Sequence, residues 1–356
     1  MASLTQDRSG TAATADPDFA VRVWLWFVAA LVFAMIVVGG ATRLTDSGLS
    51  ITEWKPILGA VPPLSDADWH EVFAKYREIP EYHLVNKGMS LEDFKGIFWW
   101  EWSHRFLGRF IGVAFAVPFL FFWATGRLRQ GFAKKLGVVL ALGAVQGAIG
   151  WYMVSSGLVD RVDVSQYRLA LHLSVAFLIF AALVWLILSL SPAQPPPATK
   201  GQRVLAGHLA GFVFVQVVLG AFVAGLKAGL AYNTWPDMNG ALIPPGMFAL
   251  EPWYKNFFED ITTVQFNHRL MAYFVLAFAV LNLALLLRAK AHGRIVTSAA
   301  IVLGAMLLQA AIGIWTLLHA VPLGLGLAHQ GGAAIVFGLA IRHWWLTSNV
   351  PHAATA

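Results

Sequence analysis

Residues 99–105 read Trp-Trp-Glu-Trp-Ser-His-Arg, and residues 265–269 read Gln-Phe-Asn-His-Arg. Each stretch ends in a His-Arg pair that opens an apolar run of about 20 residues, the length a helix needs to cross the hydrocarbon of a bilayer. Working outward, further elements recur at nearly the same interval. Gln146-Gly147-Ala148-Ile149-Gly150 returns as Gln309-Ala310-Ala311-Ile312-Gly313, and Leu169-Ala170-Leu171-His172 returns as Gly326-Leu327-Ala328-His329. Gly39-Gly40-Ala41, Trp54 and Pro62-Pro63 have counterparts in Gly220-Ala221, Trp235-Pro236 and Pro244-Pro245. The chain therefore reads as two similar halves.

Eight apolar runs, near 22–41, 103–123, 136–156, 168–190, 204–225, 264–287, 295–317 and 325–346, read as spanning helices. The expected fold is an all-α integral membrane protein, with eight transmembrane helices as two parallel four-helix-bundle repeats. Four spans per half is an even number, so the repeats are related by a pseudo-two-fold axis along the membrane normal. The halves are 1–194 and 203–356, joined by a Pro-rich linker at 195–202 that contains Pro195-Pro196-Pro197. The first span is read as an uncleaved helix, because its apolar run is too long for a signal peptide and Val38-Gly39-Gly40-Ala41 is a poor cleavage site. Asp7, Asp16 and Asp18 argue against a mitochondrial transit peptide.

Composition agrees. Of 356 residues, 58% are hydrophobic and 12% charged, whereas soluble domains carry about 45–50% and about 25%. That excludes a soluble enzyme, a disordered chain and a nucleic-acid-binding domain. The net charge of +6 is assigned to loop cations. Arg127, Arg129, Lys134 and Lys135, then Lys200 and Arg203, then Arg288, Lys290 and Arg294 fall in three short loops free of Asp and Glu, which places those loops and both termini in the cytoplasm. Segments 42–102 and 226–263 then lie outside. With no cysteine, thiolate metal sites, iron–sulfur clusters and covalent c-type haem are excluded.

Four of eleven histidines, His104, His172, His268 and His329, sit about one turn inside spans two, four, six and eight, all running inward. Ionisable side chains at such depth are costly and are usually functional. A matched pair in each half suits bis-His ligation of a haem iron better than a zinc or copper site, which needs more donors. His70, His83, His292 and His352, in loops and tail, and His208, His319 and His343, near span ends, are read as non-ligands. Gly39, Gly40, Gly108, Gly112, Gly220 and Gly225 leave room for a flat macrocycle or serve helix packing. Gln146 and Gln309 read as interhelical hydrogen-bonding groups. Glu101 shares a helix face with His104; its second-half counterpart is the uncharged Gln265. This asymmetry assigns chemistry to the first half and a permanent cofactor to the second. Arg105 and Arg269 either pair with haem propionates or snorkel to the interface.

The run Gly39-Gly40-Ala41-Thr42-Arg43-Leu44-Thr45, continuing through Ser47-Gly48-Leu49-Ser50, resembles the haem A synthase signature. So do Ile51-Thr52-Glu53-Trp54-Lys55-Pro56, Glu101-x-x-His104-Arg105 and the four histidines. The likeness covers nearly the whole chain and is closest to the proteobacterial and mitochondrial branch. Some other bacterial members carry an outer-loop Cys pair that is absent here. The resemblance implies an oxidoreductase that oxidises a ring methyl of haem O to a formyl, through hydroxylations and loss of water from a geminal diol, yielding haem A for terminal oxidases. It implies that His268 and His329 hold a resident, non-covalent haem b, that His104 and His172 are axial ligands of the substrate haem, and that Glu101 is the catalytic carboxylate. Implied partners are haem O, delivered by haem O synthase, an electron carrier and the lipid bilayer, with a homo-oligomer left open. The expected location is the bacterial inner membrane, with the haem sites near its periplasmic face. The rival readings are a non-catalytic di-haem membrane cytochrome b exchanging electrons with quinone, which leaves the single carboxylate unexplained, and a transporter, whose proton relay would not place four histidines at one depth.

Overall fold

The computed structural model describes residues 16–159 and 161–349; Asp7 and His352 lie outside them. Among the described residues the only β-type pairing is one isolated bridge, Met238 with Ala241. The remaining regular structure is helical, three single 3-10 turns and α1 (Phe19–Leu44), α2 (Asp66–Tyr76), α3 (Pro80–Leu84), α4 (Leu91–Ala124), α5 (Phe132–Val154), α6 (Gln166–Ser189), α7 (Lys200–Gly225), α8 (Asn256–Glu259), α9 (Ile261–Arg288), α10 (Gly293–Leu318) and α11 (Leu323–Leu346). Eight of these, α1, α4 to α7 and α9 to α11, are long and apolar enough to cross a bilayer. They match the eight expected runs.

Within the first half α1 packs on α4, α4 on α5, α5 on α6 and α6 on α1; within the second, α7 packs on α9, α9 on α10, α10 on α11 and α11 on α7. Helices α1, α6, α7 and α11 also meet across the middle of the molecule. There Phe177 of α6 lies 5.8 Å from Phe337 of α11, and Trp185 lies 5.1 Å from Trp344, ring centre to ring centre. The outward faces are apolar. Phe110, Val113, Val117 and Phe121 on α4, and Ile301, Leu308 and Trp315 on α10, are exposed. Apolar surface on this scale suits a multi-pass protein bathed in lipid.

At two helix starts the difference from the hydropathy reading has a visible cause. Helix α4 starts at Leu91 rather than near 103. Ser90 accepts from the Asp93 amide, and Asp93 accepts from the Ser90 amide in return, so a capping box fixes the start. The added turns carry charges that lower mean hydropathy, yet Phe94 and Phe98 are buried against Trp69, Phe73 and Tyr76 of α2. Helix α7 starts at Lys200 rather than near 204, behind a second capping box of Thr199 and Gln202, so helix occupies the end of the 195–202 segment.

The satellite cluster under α2 and α3 encloses a carboxyl group. Glu81 is 4% exposed, and the Tyr76 hydroxyl donates to it at 3.1 Å. Burial, and then the neighbouring Asp46, Glu101 and Asp163 carboxylates, push the Glu81 carboxyl from 4.5 up to about 8. Between those two values the folded form holds a proton that the unfolded form has released. The stability of this cluster therefore falls as pH rises from 4.5 to about 8, by a few kcal/mol. Glu81→Gln removes the titration and keeps a partner for Tyr76. Hydrogen exchange over residues 66–84 should accelerate between pH 5 and pH 8, beyond the intrinsic rate change, in the parent protein and not in Glu81→Gln.

Candidate functional site

The four expected histidines come together as two pairs. His104 of α4 and His172 of α6 have ring centres 6.4 Å apart; His268 of α9 and His329 of α11 have ring centres 6.5 Å apart. His172, His268 and His329 lie about two turns from the starts of their helices, and His104 more than three turns from the start of the longer α4. Among the described residues no group of three or more His, Asp or Glu side chains converges as a metal site. What the fold supplies is two facing imidazoles, twice. A metal ligated axially by one nitrogen from each ring sets the ring centres about 6 Å apart, so both pairs fit a six-coordinate haem iron.

Each imidazole rests on a glycine of the preceding span. A Cβ placed on Gly39 would lie 3.5 Å from His104, on Gly150 2.9 Å from His172, on Gly220 3.1 Å from His268 and on Gly313 2.6 Å from His329. At Gly150, Gly220 and Gly313 a Cβ would be crowded by the ring, whereas at Gly39 it would make ordinary contact. Of the other glycines considered, Gly40 meets Gln330 of α11, Gly225 meets Gln166 of α6, Gly108 faces the Met35 methyl, and Gly112 has nothing within 4 Å of its Cβ position. One turn before three of the histidine-facing glycines stands a glutamine that donates to the backbone carbonyl of the histidine. The distances are 2.9 Å for Gln146 to His172, 3.1 Å for Gln216 to His268 and 2.6 Å for Gln309 to His329. Gln146 and Gln309 thus bond between helices as expected. Gln216 was not singled out by sequence, although its four-residue spacing to Gly220 repeats that of Gln146 to Gly150 and Gln309 to Gly313.

Glu101 is 2% exposed. Its Oε2 accepts from Ser50 Oγ at 2.8 Å and from the Ile51 amide at 2.7 Å. Its Oε1 accepts from Arg105 Nε at 3.0 Å and from an Arg105 terminal nitrogen at 2.6 Å. Arg105 also donates to the carbonyls of Ile51, at 2.7 Å, and Glu53, at 3.0 Å. In the second half Gln265, equally buried, donates to the Tyr232 carbonyl at 3.1 Å. Arg269 donates to the carbonyls of Tyr232, Thr234 and Asp237. Ile51 and Tyr232 each follow their histidine-facing glycine by twelve residues, so the two halves use one device: the group three before the His and the Arg after it hold the loop that leaves the first span of the half. The ionic version belongs to the first half alone. Neither arginine is idle, and among their donors only Arg269 Nε is buried without a partner. Of the other histidines, His343 is fully buried against Asn282 at 3.1 Å, and His208 and His319 bond carbonyls of their own helices. None of the three joins a pair.

The model of the COX15-CtaA family, described as cytochrome oxidase assembly protein, matches residues 22–341. The chain is 55% identical over 327 residues to a protein named Heme A synthase from Chelativorans sp. (strain BNC1), covering 92% of this chain and 91% of the relative. It is 53% identical over 324 residues to the protein of that name from Parvibaculum lavamentivorans, covering 91% and 93%. It is 52% identical over 325 residues to the one from Sinorhizobium medicae, covering 91% and 89%.

The contact of Gly313 with His329 gives a direct test. In Gly313→Ala the methyl meets Cε1 at 2.6 Å, and the ring or the α10–α11 spacing must shift. A destabilisation of about 1–3 kcal/mol is expected, visible as a lower thermal midpoint in detergent. Gly137→Ala, where the Cβ position has no neighbour within 4 Å, should be neutral or slightly stabilising, since alanine favours helix over glycine.

Proposed function

The chain belongs to the COX15-CtaA family of cytochrome oxidase assembly proteins, and from that premise we propose how its two histidine pairs divide one reaction. It is an oxidoreductase that converts haem O to haem A, as its relatives named Heme A synthase indicate; the di-haem electron-relay reading is not favoured. The finer assignment is ours. His268 and His329 hold a resident haem b, and His104 and His172 hold the substrate. The observation that carries this division is the buried Glu101 beside one pair, set against Gln265 beside the other.

When bound, the resident haem supplies one-electron chemistry. The protein does the rest. His268 and His329 cross-link α9 to α11, while His104 and His172 orient the substrate ring between α4 and α6. Glu101 presents a preorganised carboxylate, paired with Arg105, in a low-dielectric site. Oxidising a methyl on a conjugated ring develops positive charge at that carbon, which a nearby preorganised carboxylate stabilises. All four donors to Glu101 are in place before substrate arrives, so no reorganisation accompanies that stabilisation. Arg105 anchors the loop at Ile51 and Glu53, and Arg269 anchors the loop at Tyr232, Thr234 and Asp237, which supports loop anchoring over a propionate-binding role.

We place the sites near the outer face of the bacterial inner membrane and both termini in the cytoplasm. The three acid-free basic loops support this orientation. The repeat relation between the halves is supported by the same order of helix packing in each. Haem O arrives from the enzyme that makes it.

Glu101→Gln tests the division of labour. It keeps size and loses the charge that pairs with Arg105. Conversion to haem A should fall by about two to three orders of magnitude, the usual loss on removing one preorganised electrostatic group, with resident haem b unchanged. A chromatographic haem profile of cells expressing the variant reads both. Gln265→Glu should create no second active site. His268→Ala and His329→Ala should each abolish haem b by pyridine haemochrome assay; retention in both would refute the ligand assignment.

A further inference from the structure

We propose that His104 is the exchangeable ligand of the substrate pair and His172 the fixed one, with Met35 as the residue that leaves His104 loose. The proposal rests on the reading that His104 and His172 hold the substrate.

Three histidines are held twice, by a glutamine amide on their carbonyl and by a close glycine contact. His104 has neither in full. The position one turn before Gly39, equivalent to Gln146, Gln216 and Gln309 before their glycines, is Met35. Its methyl lies against Gly108, one turn beyond His104, 3.5 Å from the Cβ position there. A thioether donates no hydrogen bond, so the His104 carbonyl gains no interhelical donor. The glycine contact is also the longest of the four, 3.5 Å against 2.6–3.1 Å. The hydrogen bond and the packing distance are separate observations, and both single out the same histidine.

The function gives a reason for the difference. A resident haem needs two ligands that never release. A substrate must enter and its product leave, and both steps require breaking the bonds from histidine nitrogen to iron. If one ligand breaks first, the ring pivots on the other. Here His172, tied by Gln146 and Gly150 to α5, stays, and the His104 side chain swings off and back while α4 holds its place. No electrons move in this exchange; one nitrogen–iron bond opens and re-forms. Met35 and Gln146 are positioning residues, since each acts through a histidine.

Carbon monoxide reports the opening, because it binds ferrous haem only where an axial position is free. The measurement uses purified full-length protein in detergent, loaded with haem B in both sites and reduced with dithionite. The parent should show carbon monoxide binding at one site per chain. Met35→Gln, which supplies the missing donor, should lower the reactive fraction by about threefold to tenfold, the effect of one added net hydrogen bond. Gln216→Met, which copies the first-half arrangement into the second, should make the second site reactive. His104→Ala should keep first-site haem and react fully, whereas His172→Ala should lose that haem. Unchanged reactivity in Met35→Gln and Gln216→Met, with equal haem loss in His104→Ala and His172→Ala, would overturn the proposal. Should Met35→Gln not fold, the Gln216→Met result and the histidine comparison decide alone. If neither histidine variant changes haem content, the substrate-site reading itself fails.

Discussion

The structure depends on one contact made four times, tightly in three of them: an imidazole of one membrane helix seated on a glycine of another. Gly39, Gly150, Gly220 and Gly313 lie on α1, α5, α7 and α10, and their histidine partners lie on α4, α6, α9 and α11. In lipid there is no hydrophobic force to press helices together, so close backbone approach and interhelical hydrogen bonds decide which faces meet. Gly150, Gly220 and Gly313 set the approach of their helix pairs and fix the imidazoles they meet, while Gly39 meets His104 at ordinary contact distance. Ring centres 6.4 and 6.5 Å apart are the result. The glutamines at Gln146, Gln216 and Gln309 add a hydrogen bond to the same contacts through their Nε2 atoms.

On this common frame the halves diverge in their electrostatics. Glu101 and Arg105 form an ion pair almost closed to water, which survives because Ser50, Ile51 and the Glu53 carbonyl complete the hydrogen bonding. Buried charge is tolerated only with such compensation. Gln265 and Arg269 do the same mechanical task with one charge fewer. Loop anchoring therefore needs the arginine in both halves, and the extra carboxylate in the first half is left to be explained by chemistry.

The side bearing the long loops and the opposite side are built differently. On the first, α2 and α3 form an apolar cluster of their own against the extended start of α4. Arg43, Asp46, Asp163 and Lys227 also link the two halves there through ion pairs. On the second, connections are short and basic. Arg129 pairs with Asp18 at 2.5 Å, and Arg294 donates to the Gln194 carbonyl at 3.0 Å.

The eight spans, the paired histidines and the Glu101–Gln265 asymmetry were legible in the sequence, because each is written locally: a run of apolar residues long enough for a bilayer, or a motif repeated at a fixed interval. All four histidine-supporting glycines belonged to repeats already visible, Gly39 and Gly220 in one and Gly150 and Gly313 in another. What only the tertiary structure decided was which groups meet once loops fold back. The start of α4 at Leu91 depends on α2 covering Phe94 and Phe98, and hydropathy averages over that face. The engagement of Arg105 with Ile51 and Glu53 depends on the loop after α1 returning over α4, across some fifty residues of chain. The role of Gln216, and the different footing of His104, on a helix that carries Met35 where the others carry glutamine, depend on the packing of one helix against another. A residue's own neighbours in sequence encode its helix and its depth; its partner on the next helix is set by distances that no local pattern contains.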